Sequence, residues 1–403
     1  MAALVALGEA SGYIAAFVGA VYAFPSTRTM DEKARDSAGV VARRCISIMA
    51  LAGGCVYLTA LRRGVPTSRV IEGMLVGETN AAAMAHTLTG PQHSAALITE
   101  TAASALKGLS VTVTLFAGVI LNHVLDAARE IVADAKHRIG GDGSAGGIGS
   151  VLAALPSEVF RYNVVAPIQA YLANPGSVWP DLRNYVVCPV AEEIVLRYMP
   201  IDALERACLC VSGGYAPGCV LTRFHRAAFC DPAVAALAKA GRLPEPSWTF
   251  HLLANPRRRM GWSALLFASS HAHHYFRYHQ TAHEAAKKRM ASADAGRFAQ
   301  KRALQSLMAS MLITGTFGML SSWILLRRAD GSVVAPLASH SLCNFLGPPS
   351  LAFLGEERRT LRPAVSGGAK VVPAWFVALE RVAITAAHVG GIAGFFAMAA
   401  GYW

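Results

Sequence analysis

The chain has 403 residues, 54% of them hydrophobic and 15% charged, with a mean hydropathy of +0.38. A soluble domain is about a quarter charged, so this composition argues against an ordinary globular protein and for a polytopic membrane protein. The 37 basic and 25 acidic residues leave a net charge of +12. The basic residues cluster between apolar runs, at Arg43-Arg44, Arg62-Arg63, Arg257-Arg258-Arg259, Lys287-Lys288-Arg289 and Arg358-Arg359. That is the pattern of loops facing anionic headgroups. No aromatic-basic interleaving accompanies it, so nucleic acid is not an expected partner.

In chain order, the N-terminus lacks a basic flank and carries Glu9, which favours a first membrane helix over a cleaved signal peptide. Apolar runs at about Ala10–Phe24 and Cys45–Leu61 flank a charged loop, Thr27–Arg44. Residues Pro66–Lys107 read as irregular or amphipathic, and Leu109–Leu125 as a membrane segment. The stretch Gly140–Ser150 matches G-x-G-x-x-G at Gly141, Gly143 and Gly146. It has no strand before it and no βαβ unit around it, so a flexible connector is expected rather than a dinucleotide site. Val151–Ala173 is apolar but carries Glu158 and Arg161. Further runs follow at Tyr185–Leu204, Ala207–Leu221, Gly261–Tyr275, Leu304–Leu326, Val333–Leu354 and Ala374–Tyr402, with an Arg- and Pro-rich extramembrane insertion at Thr222–Met260.

The expected fold is all-α, a polytopic membrane helix bundle with about eight spans of ~20 residues. The expected domains are N-terminal membrane helices at 1–180, a core at 181–354 with the insertion at 222–260, and a C-terminal loop and helix at 355–403. Eight cysteines (45, 55, 188, 208, 210, 219, 230 and 343) form no C-x-x-C pair and read as buried thiols rather than a zinc site or disulfide framework.

The stretch Asn184–Pro200, NYVVCPVAEEIVLRYMP, sets Glu192, Glu193 and Arg197 in apolar surroundings, where an ionised group is costly unless paired. On a helix Glu193 and Arg197 stand at i and i+4 and can pair. Glu192 lies about 100° round from Glu193 and is left to face something else. A carboxylate held in a poorly hydrated pocket can act as a general base. In LLFASSHAHHYFRYHQ, Phe267 and His271 are at i and i+4, with His273 and His274 following. Histidine can share a proton with a carboxylate and orient a water, which makes His271 a candidate partner for Glu192. In PLASHSLCNFLG, His340 and Asn344 are also at i and i+4. They can donate to a developing oxyanion, or serve as polar glue between helices.

The ordered set EExxxR (Glu192, Glu193, Arg197), FxxxH (Phe267, His271) and HxxxN (His340, Asn344) resembles that of the CPBP family of membrane proteases. The flanks LRNYVVCPVAEEIVLR, FASSHAHH and SHSLCNFLG are similar to those of the eukaryotic type II CAAX prenyl endopeptidases, the Ras-converting enzymes of the endoplasmic reticulum. The likeness is close from about Leu182 to Pro348 and faint before it. It implies removal of the C-terminal aaX tripeptide from prenylated CAAX proteins such as Ras-type small GTPases, within a lipid membrane and with no metal or cofactor. It also implies that Glu192, assisted by His271, activates a water, that His340 and Asn344 stabilise the oxyanion, and that Glu193 and Arg197 pair to hold the site. Adjacent carboxylates can couple, so Glu192 and Glu193 can exchange roles. Leu196 stands where the family usually has an aromatic residue, and the segment between the first two motifs is longer than usual. Two alternatives are a zinc protease using histidines such as His279 and His283, and an inactive scaffold. The zinc reading lacks H-E-x-x-H.

Overall fold

The computed structural model describes residues 2–24, 37–122, 124–125, 178–204, 255–288, 292–329, 331–347 and 374–400. Among these residues there are helices and turns and no strand. The helices are α1 (Ala2–Val21), α2 (Ala38–Arg63), α3 (Thr67–Val76), α4 (Glu78–Thr87) and α5 (Gly90–Leu115), then a continuous α6 (178–204). They continue with α7 (Pro256–Ser270), α8 (Tyr275–Lys287), α9 (Ser292–Trp323), α10 (Val334–Leu346) and α11 (Ala374–Ala400).

Three segments among the described residues are long and apolar enough to cross a membrane: Ala38–Arg63, Asp294–Arg327 and Ala378–Ala400, with mean hydropathies of 1.6, 1.5 and 1.7. Val5–Val21 is a shorter apolar helix. The protein is an all-α membrane helix bundle. Of the other expected spans, Val151–Ala173 and Ala207–Leu221 lie outside the described residues. Helix α6 carries Asp181, Arg183, Glu192, Glu193, Arg197 and Asp202, too many charges to qualify by composition. Its second half is nonetheless buried continuously from Val195 to Leu204.

Several local readings change. Pro66–Lys107, expected to be irregular or amphipathic, folds as α3, α4 and most of α5. Gly77 divides the first two at φ 87° and ψ 146°, a backbone region that essentially only glycine enters. Helix α7 begins inside the stretch expected as an insertion. The Asn255 side chain accepts the Arg257 N–H at 2.9 Å, and Pro256 takes the first helical position, where its missing N–H costs nothing. The remainder of that stretch, 222–254, lies outside the described residues, as does the glycine-rich connector at 140–150.

Among the described residues the arginine clusters are not in loops. Arg43-Arg44 lies early in α2, Arg62-Arg63 in its last turn, and Arg257-Arg258-Arg259 in the first turns of α7. In each cluster one member turns inward: Arg44, Arg63 and Arg259 are buried or nearly so, while Arg43, Arg62, Arg257 and Arg258 are exposed. Consecutive residues on a helix point about 100° apart, so an adjacent pair at a boundary serves two environments.

The chain groups into two compact units, Met1–Leu109 with Trp179–Leu342, and Ser110–Val178 with Cys343–Trp403. Within the first, the N-terminal loop of α10 is tied to α3, with the Val333 N–H donating to Met74 O at 2.7 Å and Ser332 Oγ to Leu75 O at 2.6 Å. The same unit brings α5 against α10 so closely that a Cβ on Gly108 would lie 1.9 Å from the Ala335 carbonyl oxygen. In the second unit α11 packs against the chain around Thr114, where a Cβ on Gly391 would come within 2.3 Å of the Thr114 carbonyl. Small residues that let backbones approach are a usual means of helix association in lipid.

Candidate active site

One cluster of buried polar groups in the first unit lies where α6, α7, α9 and α10 meet. Helix α6 is α-helical over Cys188–Glu192 and opens into a π-helical turn over Glu193–Tyr198. Such widened turns recur at functional sites. The change of winding falls between the two glutamates. Glu193 is 0% exposed, whereas the Glu192 side chain keeps 17% of its surface open.

Glu193 accepts hydrogen bonds on both oxygens. Arg197 Nε donates to Oε2 at 2.9 Å and Arg197 Nη2 to Oε1 at 3.4 Å, the i, i+4 pair expected from the sequence. Ser321 Oγ, from α9, donates to Oε2 at 2.8 Å. His340 Nδ1, from α10, lies 2.9 Å from Oε1. An ionised carboxylate only accepts, so Nδ1 must carry the hydrogen in this contact. The other ring nitrogen, Nε2, then faces Glu192, 3.7 Å from its Oε2. That separation is too long for a direct hydrogen bond.

Arg197 is itself fully committed. Its Nη1 donates to the Gly318 carbonyl at 2.9 Å and reaches Ser322 Oγ at 3.3 Å, and Ser322 Oγ in turn lies 3.2 Å from Ser263 Oγ on α7. The guanidinium sits over the Phe267 ring, 4.5 Å from its centroid, an arrangement favoured by the ring quadrupole. An ion pair removed from water persists only when its remaining donors and acceptors are met, and here they are.

His271 ends α7 and opens a short 3-10 turn, His271–His274. Its Nδ1 lies 3.1 Å from both the Phe267 carbonyl oxygen and Ser270 Oγ; with the hydrogen on Nδ1 it donates to the carbonyl and Nε2 is the acceptor of the neutral ring. The structure brings His271 into the cluster through Phe267, whose ring centroid is 5.2 Å from that of His271 and 6.2 Å from that of His340. No hydrogen bond or ion pair joins His271 directly to Glu192 among the described residues. Asn344 is one turn beyond His340 on α10, is exposed, and falls in the second unit. His279 and His283 stack on α8 with centroids 5.9 Å apart, and no group of three or more His, Cys, Asp or Glu is placed to hold a metal among the described residues.

Sequence reasoning missed Ser263, Phe317, Gly318, Ser321 and Ser322, all of which line this cluster. The available signal was the Ser321-Ser322 pair inside the cleanest apolar run of the chain.

Residues 174–346 match the family described as Type II CAAX prenyl endopeptidase Rce1-like. No curated protein and no solved structure matches the chain. The matched region contains all of the glutamates, the arginine, the histidines and the asparagine singled out above. The match covers less than half of the chain, and the family it names is one of CAAX prenyl endopeptidases.

Proposed function

We propose that this chain, as the bearer of an Rce1-like domain, is a glutamate-dependent, metal-independent endopeptidase of the endoplasmic reticulum membrane that releases the aaX tripeptide from prenylated CAAX proteins, Ras-type small GTPases among them. The observation that carries the reading is the unequal fate of the two glutamates. Glu193 is enclosed with both oxygens occupied, while Glu192 keeps an open side chain opposite the free nitrogen of His340.

In the proposed reaction Glu192 takes a proton from a water, with His271 Nε2 helping to orient it. The resulting hydroxide adds to the prenylcysteine carbonyl carbon. The oxyanion is met by Asn344 and by His340 through Nε2, which can donate only when the ring carries both protons, since Nδ1–H is held by Glu193. Glu192 returns its proton to the departing amine as the C–N bond breaks, so water is consumed and no covalent enzyme intermediate forms. Glu193 and Arg197 remain a fixed frame throughout.

The test is release of the tripeptide from a farnesylated CAAX peptide by the full chain in bilayers. Glu192→Gln removes the base and should cost roughly 10²–10⁴-fold in kcat. Asn344→Ala removes an oxyanion donor and should cost roughly 10²–10³-fold. Cleavage should survive strong chelation. Loss of activity with chelator and recovery with zinc would instead point to a metalloprotease, and a well-folded wild type without any cleavage would favour an inactive scaffold.

A further inference from the structure

Helix α9 presents one face to the Glu193–Arg197 pair. Gly318, Ser321 and Ser322 stand at i, i+3 and i+4, and each touches a different part of it. The Gly318 carbonyl and Ser322 hydroxyl take Arg197 Nη1, while the Ser321 hydroxyl alone addresses the carboxylate, at 2.8 Å from Glu193 Oε2. Both serines are 0% exposed. No water replaces a hydrogen bond lost at such a position, so a missing donor leaves a buried carboxylate oxygen short.

The two oxygens of Glu193 divide their work. Oε2 accepts from Arg197 Nε and Ser321; Oε1 accepts from His340 Nδ1 and, at a longer distance, Arg197 Nη2. A carboxylate is planar and pivots as one body. If Oε2 loses Ser321, the group can turn toward the remaining fork of Arg197, and Oε1 moves with it away from His340.

We propose that Ser321 is a positioning residue of this peptidase: by anchoring Glu193 Oε2 it keeps Oε1 on His340 Nδ1, and so aims His340 Nε2 at the Glu192 side of the site. The inference rests on the reading under Proposed function for its kinetic consequence. Its structural part, that Ser321 governs the His340 imidazole through Glu193, stands on the geometry alone.

The experiment compares the full chain in bilayers as wild type, Ser321→Ala, Ser321→Cys and Ser322→Ala. Ser322 is the matched control, buried to the same extent one residue along and bonded to Ser263 and Arg197 rather than to Glu193. Four readouts are taken: kcat and KM on the farnesylated peptide, the pH profile of kcat, the thermal midpoint, and the His340 ring signals with isotope-labelled histidine. Ser321→Ala should lower kcat about tenfold or more with KM within about twofold, and displace the pH profile. Ser321→Cys, nearly isosteric with a weaker donor, should fall between. Ser322→Ala, which removes no direct contact of Glu193, should displace the pH profile and the His340 signals less than Ser321→Ala does. The Nδ1 signal of His340 should move in Ser321→Ala.

Wild-type kcat and pH profile in Ser321→Ala would overturn the proposal. So would equal losses in both alanine variants that simply follow the thermal midpoint. Should the wild type cleave nothing, the peptidase reading fails by itself, and the His340 signal still decides the Ser321 claim: unchanged in Ser321→Ala, it sinks it.

Discussion

Glu192 and Glu193 are neighbours in the chain with different surroundings, and Arg197 is the reason. Its guanidinium is fully buried, pairs with Glu193, reaches the Gly318 carbonyl and covers Phe267. Removing one partner of such a pair leaves an uncompensated charge, which costs about 3–5 kcal/mol. Arg197→Met should therefore lower unfolding stability by that order, read from denaturant or thermal unfolding in micelles. Arg197→Lys keeps the charge but loses the planar fork and the stacking, so it should recover only part of the loss. Equal stability of wild type and Arg197→Met would mean that the pair contributes little. The i, i+4 pairing itself was legible in the sequence, because spacing and apolar flanks together demand a partner for each charge. The hold of Glu193 on His340 was not, since the two are far apart in sequence and the HxxxN spacing pointed His340 toward Asn344 instead. Ser321 was equally hidden: a small hydroxyl in an apolar run is as often interhelical glue as part of a site.

At the scale of elements, the site depends on close approaches that glycines permit. A Cβ at Gly318 would sit 3.0 Å from Ala264 Cα, across the α7–α9 crossing. One at Gly315 would meet only Ala268 Cβ at 3.6 Å, an ordinary contact. Alanine is the better helix former by about 1 kcal/mol. Gly315→Ala should accordingly be neutral or stabilising by up to that amount. Gly318→Ala should be destabilising by about 1–3 kcal/mol, because backbone must yield. Activity should fall with Gly318→Ala as well, since its carbonyl holds Arg197. Gly108→Ala is the severest of the set, its Cβ directed into the Ala335 carbonyl of the helix that brings His340. Thermal midpoints of the three variants would order them; a Gly318→Ala midpoint at or above that of Gly315→Ala would contradict the crossing geometry. The helices themselves were largely readable from apolar runs, and the Asn255-Pro256 start of α7 is a capping signature visible in the sequence. The π-turn at Glu193–Tyr198 was not readable, because winding is set by what neighbouring helices offer the backbone rather than by the residues in the turn.

Across the whole molecule, the sparse charge has been sorted more finely than its composition suggested. The arginine clusters looked like headgroup-facing loops, yet the three among the described residues divide between surface and interior, and Arg62-Arg63 shows what that division does. Arg62, 40% exposed, bonds Tyr13 at 2.8 Å and pairs with Glu9, joining α2 to α1. Arg63, 11% exposed, pairs with Glu78 and with Asp202 at 2.7 Å, and reaches the Tyr198 hydroxyl at 3.1 Å. That second network links α2, α4 and the end of α6, immediately beyond the π-turn that carries Glu193. Exposed pairs contribute about 0–1 kcal/mol, whereas loss of one side of a buried network costs about 3–5 kcal/mol. Arg62→Ala should therefore unfold within about 1 kcal/mol of wild type. Arg63→Ala takes the shared cation away from Glu78 and Asp202, both buried or nearly so, and should lose several times as much. Its activity should fall with the stability, since the network buttresses the helix that bears both glutamates. Glu78→Gln, which removes one of the two carboxylates but keeps an acceptor for Arg63 and Tyr198, should be milder than Arg63→Ala. Unfolding of these three variants in micelles of one composition would decide it: Arg62→Ala and Arg63→Ala losing the same stability would show that the paired arginines are interchangeable surface charge, as their sequence spacing first suggested.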